Sequence, residues 1–183
     1  MSHEFSSVTL NGVRKALLEL GWLDEVIATA SATTRDSLQH VEAKRYHPGS
    51  VLDEVVELLA QKHGLGASET MMRTVVARSL EGVVAPLARI FITIMGNSPR
   101  VLFEKFDTLI QASSRGVHAK WEAEGPTAGV LTLLYGVPRT LAVAHGWKGA
   151  LLHVLAFCKT QGTVDVLEFG DSGNSVRLRV RWS

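Results

Sequence analysis

Cysteine is almost absent from this chain of 183 residues: Cys158 is the only one. A lone cysteine forms no internal disulfide and excludes cysteine-rich zinc sites, so a reducing cytoplasm is the expected compartment. Net charge is nearly absent as well. Nineteen basic and eighteen acidic residues leave +1 at neutral pH, which gives no reason to expect nucleic acid or an anionic membrane as a partner. No apolar run approaches the ~20 residues of a membrane helix. The longest, Val83 to Met95, is interrupted by Pro86 and Arg89, and membrane insertion is not expected. Met1 to Thr9 has neither the basic nor the apolar block of a secretion signal. Repeats, low-complexity tracts and long linkers are also missing. Residues 1–183 are therefore expected to form a single domain.

Motifs for catalysis are missing too. There is no G-x-S-x-G nucleophile turn and no phosphate-cradling G-x-x-x-x-G-K-[ST] or G-x-G-x-x-G loop. Gly64-Leu65-Gly66 lies between two expected helices and reads as a loop. None of the seven histidines forms H-E-x-x-H, and His145 and His153 are more than two helical turns apart. No metal site and no enzyme activity are expected. Asp53, Glu54 and Glu57 share a helix face, which reads as solvated. Arg177, Arg179 and Arg181 alternate along a strand. That pattern suits a solvent-facing surface that resists edge pairing better than a phosphate site.

What is present is a globular composition, 46% hydrophobic and 20% charged. The first part, about 10–113, reads as helices. Asn11 is the expected N-cap of Val13–Leu20, with Gly21 as its stop. Leu23–Ala30 follows, then an ambiguous polar stretch from Ser31 to Lys44. Ser50 caps Val51–Leu59, which ends before Gly64, and Gly66-Ala67-Ser68-Glu69 opens another helix. Gly82–Met95 reads as a strongly apolar helix. Ser98 and Pro99 start a helix running to about Ile110. The second part, about 116–183, alternates: Gly116–Glu124 and Val130–Tyr135 as strands, Thr140–Lys159 as a long helix weakened by Gly146 and Gly149, then Thr163–Phe169 and Val176–Trp182 as strands. The fold class is α/β (α+β): a helical half, then β-β-α-β-β with an antiparallel sheet packed on the long helix.

In this order the chain resembles the heme-NO/oxygen-binding (H-NOX) domains. It is also similar to the wider superfamily with the vinyl-4-reductase-type ligand-binding domains and the TRAPP subunits. The residues that carry the resemblance are Gly12-Val13-Arg14-Lys15-Ala16-Leu17-Leu18, Tyr46 before the Val51–Leu59 helix, Leu65-Gly66-Ala67-Ser68-Glu69, and above all Tyr135-Gly136-Val137-Pro138-Arg139. H-NOX domains carry Y-x-S-x-R at the last of these, where tyrosine, serine and arginine hold the heme propionates. Tyr135 and Arg139 match, and Val137 stands where the serine belongs. The proximal histidine of those domains would fall on the Ser98–Ile110 helix, near Phe106 or Ile110. No histidine occurs between His63 and His118, and heme iron needs a nitrogen, sulfur or phenolate donor. Heme is therefore not expected, and no other cofactor is. The chain is also similar to a heme-free myxobacterial paralogous family without an established activity.

The resemblance implies a signalling module that senses a small apolar or amphiphilic ligand without heme. Met95, Phe103, Phe106, Ile110, Tyr135, Trp147 and Phe157 are candidates to line a cavity, with Tyr135 and Arg139 orienting an acidic group. The alternative is a protein-interaction adaptor or dimerisation module with no small ligand, in which those residues fill a core and the apolar Val83–Met95 helix packs in a homodimer interface. The expected partners are a small apolar ligand, a signalling protein and a second copy of the chain.

Overall fold

The computed structural model describes residues 3–41, 44–80, 98–169 and 173–183. The expected apolar helix at Gly82–Met95, and Met95 with it, lies outside the described residues. The helical half comprises α1 (Ser7–Glu19), α2 (Leu23–Thr29), α3 (Ala32–Gln39), α4 (Gly49–His63), α5 (Leu65–Leu80), α6 (Pro99–Glu104) and α7 (Phe106–Gln111). Three short strands, β1 (Glu4–Ser6), β2 (Tyr46–Pro48) and β3 (Ser114–Arg115), form a small antiparallel sheet in the order β2-β1-β3. The second half holds β4 (Val117–Gly125), β5 (Ala128–Tyr135), α8 (Leu141–Phe157), β6 (Gly162–Phe169) and β7 (Ser175–Trp182). These strands form one antiparallel sheet in the order β4-β5-β7-β6. The β-β-α-β-β order read from the sequence is the order observed.

Several boundaries differ from the expectation, each for a local reason. The first helix starts at Ser7, because the Ser6 side chain accepts from the Thr9 amide at 3.3 Å; Asn11 lies within the helix. Ser31 caps α3 in the same way, through the Thr34 amide, which makes Ala32–Gln39 of the ambiguous polar stretch helical. Helix α4 begins at Gly49, with Pro48 in the capping position in place of Ser50. Pro99 does start a helix, but Lys105 interrupts it, so α6 and α7 are separate. Gly21 and Gly64 end their helices at φ 73° and 82°, a region open to glycine at little cost.

The described residues form two hydrophobic cores. One lies among α1 to α5 and is built on Leu17, Leu38, Val55, Leu59 and Met71. The other lies between the sheet and α8, and is built on Phe103, Leu131, Leu133, Leu151 and Leu178. Helix α8 serves both: Ala142 and Val143 enter the first core, Leu151 and Leu155 the second. A helix so placed must be apolar almost all round. On β7, Val176, Leu178, Val180 and Trp182 point inward. The arginines between them face outward, where Arg179 pairs with Glu124 and Arg181 with Asp165.

Helix α8 also crosses α5 closely, and glycine permits it. A Cβ on Gly149 would lie 2.0 Å from the Glu69 carbonyl oxygen, and one on Gly146 3.1 Å from Met72 Cγ. The two glycines that weaken α8 locally are therefore what lets it dock. Glu69 closes the crossing by holding His145 Nδ1 at 2.5 Å and Lys148 Nζ at 2.9 Å. Gly149→Ala is expected to lower the unfolding free energy by about 1–3 kcal/mol through overpacking. At Gly66 an added Cβ meets nothing within 4 Å, so Gly66→Ala is expected to raise stability by roughly 0.5–1 kcal/mol. Denaturant unfolding of both variants checks the pair.

Candidate functional site

Between the two cores lies a cavity of about 140 Å³. Its walls come from both halves: Leu52 and Val56 of α4, Met72 and Val75 of α5, Phe106 and Ile110 of α7, and Val143, Trp147 and Val154 of α8. Phe5 and Thr9 add the N-terminal end, and Ser113 and Ser114 the start of β3. The volume is close to that of an apolar protein cavity able to hold benzene. Among the described lining residues only Asp53 carries a charge.

Of the candidates read from the sequence, Phe106, Ile110 and Trp147 are on this wall. Tyr135 and Arg139 are not. Trp147 stands at the junction of the two cores, and its indole N–H donates to the Tyr135 hydroxyl. Phe103 is packed away from the cavity, stacked on Trp121 at 4.8 Å between ring centroids. Phe157 is a half-buried neighbour of the sheet core. Met95 lies outside the described residues.

Behind the Asp53 wall sits a buried polar cluster. The Arg139 side chain is 4% exposed; it donates through Nη1 to Asp53 Oδ2, and through Nη2 to His3 Nδ1 at 3.0 Å. Its guanidinium carbon lies 4.3 Å from the Tyr135 ring centroid. The backbone supports this placement: the Tyr135 amide donates to the Asn174 carbonyl and the Arg139 amide to the Gly173 carbonyl. On the other side His3 lies against Gly49, where any Cβ would fall 1.9 Å from its Nδ1. Val137, at the position of the H-NOX serine, is 47% exposed and brings no hydroxyl to the cluster.

The cluster corrects the view of Asp53, Glu54 and Glu57 as a solvated face. Each ties α4 to another element: Asp53 to Arg139, Glu54 to Ser31 and Thr34 at the start of α3, and Glu57 to the Thr140 hydroxyl at 3.0 Å. Burial works against ionisation of Glu54, but its bonds from Thr34 and Ser31 hold it below the usual carboxylate range. Burial pushes Asp53 up to about 6 against the pull of Arg139. Burial, with Arg139 alongside, lowers His3 to about 3. At neutral pH Asp53 is thus ionised and His3 neutral, which leaves His3 Nδ1 free to accept from the guanidinium. Burial also raises Tyr135, so its hydroxyl keeps its proton.

Four other histidines have partners away from the cavity: His47 reaches the Val41 carbonyl, His63 reaches Glu25, His40 reaches Asp36 and His118 lies by Asp107. Among the described residues no group of three or more histidine, cysteine, aspartate or glutamate side chains is placed to hold a metal. Among them, too, no helix is long and apolar enough to cross a membrane.

The fold is shared with known proteins. No family model matches the chain. No curated protein matches it in sequence. Solved structures do. The Fe(II) unliganded H-NOX protein from K. algicida superposes with a TM-score of 0.71 at 9% identity, over 97% of this chain and 96% of that one. A Tt H-NOX protein carrying two substitutions to phenylalanine gives 0.64 at 13% identity, over 97% and 95%. An oxygen-binding H-NOX domain related to soluble guanylate cyclases gives 0.61 at 11%, over 94% and 92%. The chain has an H-NOX-like fold.

The two buried titratable groups act on stability in opposite senses. The unfolded chain protonates His3 near 6.5 while the folded chain holds it near 3, so stability falls as pH drops below 6.5. Asp53 rises from 3.8 to about 6 on folding, so its protonation returns part of that loss as pH falls through 6. Among the described residues, Glu57, Tyr135 and Arg139 are the other charged or titratable groups facing the pair. His3→Gln removes the first contribution only. The unfolding free energy at pH 7 minus that at pH 5 is expected to be smaller in the variant by about 2 kcal/mol. Denaturant titrations at the two pH values measure it.

Proposed function

We propose that this chain is a non-enzymatic sensor module that takes a small, largely apolar ligand into the cavity between its two cores, without heme. The observation that carries this reading is the wall of the cavity itself. Phe106 and Ile110, on the helix where the H-NOX resemblance puts the iron ligand, both face the space, and neither offers a donor atom to a metal. Three further points support it. The only cysteine, Cys158, is buried in the sheet core, and burial raises its thiol to about 11. The phenol of Tyr135 is protonated and bound by Trp147, and Arg139 is bound by Asp53 and His3. A propionate would therefore have to compete with partners already in place. Finally, 140 Å³ suits a single ring better than a macrocycle.

A second reading, a protein-interaction adaptor, is favoured by one feature. Leu134, Val137 and Leu141 lie close together in sequence around the β5–α8 connection and are 46%, 47% and 45% exposed. Apolar side chains so exposed suit a protein contact. The sensor and adaptor roles are compatible if the contact reports cavity occupancy.

Protein purified from hemin-supplemented cells is expected to be colourless. A Soret band with stoichiometric heme would overturn the heme-free reading. Toluene is expected to raise the melting temperature of the native chain, by a saturable amount set by its affinity. Filling the cavity with Val75→Phe is expected to abolish that rise while leaving a folded protein. An unchanged response in the variant would place toluene elsewhere.

A further inference from the structure

A cavity lined almost wholly by hydrocarbon selects by size and shape, and the few polar atoms on its wall decide what else a ligand must carry. Thr9 and Ser114 have their hydroxyls engaged, with Ser6 and with the Ile110 carbonyl respectively, and Ser113 also bonds the Ile110 carbonyl. The Trp147 indole N–H is committed to Tyr135. Asp53 differs. Arg139 binds its Oδ2 alone, and Oδ1 has no hydrogen-bond partner among the described residues. The Asp53 side chain is 17% exposed and is the charged one among the described residues of the cavity wall. A sheltered oxygen of this kind gains most from a donor brought in by a ligand.

Resting on the cavity reading above, we infer that Asp53 Oδ1 is the polar anchor of this cavity, and that the ligand is a small, neutral, largely apolar molecule carrying one hydrogen-bond donor, such as a phenol or an alcohol. Neutrality follows from the charges already there. Asp53 and Arg139 cancel each other, so an anion would face the exposed side of a carboxylate, and an ammonium would leave a net charge in an apolar space. Arg139 is not on the wall: Asp53 and His3 hold its Nη1 and Nη2, and its Nε, which has no partner among the described residues, is buried. An acidic ligand, which the H-NOX resemblance pointed to, would have to displace Asp53 to reach the guanidinium from the cavity.

Toluene, anisole, phenol and benzoate are close in size and differ in what they offer Asp53. Titrated calorimetrically against the full chain at neutral pH, phenol is expected to bind at least about ten-fold tighter than anisole, whose oxygen has no proton to give. Benzoate is expected not to bind. Asp53→Asn is expected to reduce the phenol-to-anisole ratio to less than about three-fold, and the four-probe comparison on the unmodified chain stands even if that variant does not fold. Equal binding of phenol, anisole and toluene would overturn the role of Asp53 and leave the cavity reading intact. Benzoate binding tighter than phenol would overturn it in favour of Arg139. Binding by none of the four would remove the cavity reading and this inference together.

Discussion

The ion pair between Arg139 and Asp53 is the interaction on which the relation of the two halves depends. Arg139 leaves the end of β5, Asp53 sits on α4, and His3 enters from the N-terminus to share the same guanidinium. Three distant stretches of chain meet on one buried cation. Such pairs add little net stability over a hydrophobic equivalent, yet losing one partner typically costs about 3–5 kcal/mol, because the other charge is left buried alone. The geometry is therefore strongly specified. The surrounding structure agrees with it at each point: Gly49 leaves room for the His3 ring, and the Tyr135 ring lies under the guanidinium.

The cavity follows from how α8 is shared. One helix cannot fill both an all-helical core and a sheet core without a seam between them. Trp147 stands in that seam, turned so that its N–H meets Tyr135, and space remains on its other side. The close approach of α5, permitted by Gly146 and Gly149, sets the width of the seam on one side. Helix α7 sets it on the other with Phe106 and Ile110. The polar cluster behind Asp53 closes one wall while leaving one of its carboxylate oxygens without a partner among the described residues.

An H-NOX-like fold thus exists here on a chain with few residues in common with the H-NOX structures it superposes on. Packing explains how. The two cores need apolar side chains at the right period, two glycines at one helix crossing and a sheet that alternates inside and out. Many sequences meet these requirements. The chemistry of the cavity wall is set by a handful of positions that the packing leaves free to vary, and at those positions this chain carries phenylalanine, isoleucine and an internal carboxylate.

Read alone, the sequence determined the β-β-α-β-β order of the second half and the inward faces of its strands, because both depend on periodicity within short windows. Val176, Leu178, Val180 and Trp182 alternate with arginines, and no other placement hides the former and hydrates the latter. The H-NOX resemblance offered Phe106, Ile110 and Trp147 among the candidates to line a cavity, and it is the tertiary structure that brings these three to one wall. Tertiary structure alone decided the rest. The strands β1, β2 and β3 are too short to carry a period, and they exist only because the N-terminus pairs with segments far along the chain. Asp53, Glu54 and Glu57 look like a solvated helix face, since nothing local distinguishes a carboxylate facing water from one facing a guanidinium 86 residues away. Whether Arg139 meets a ligand or Asp53 is a long-range question, and charge pairing across such a distance leaves no mark on local sequence.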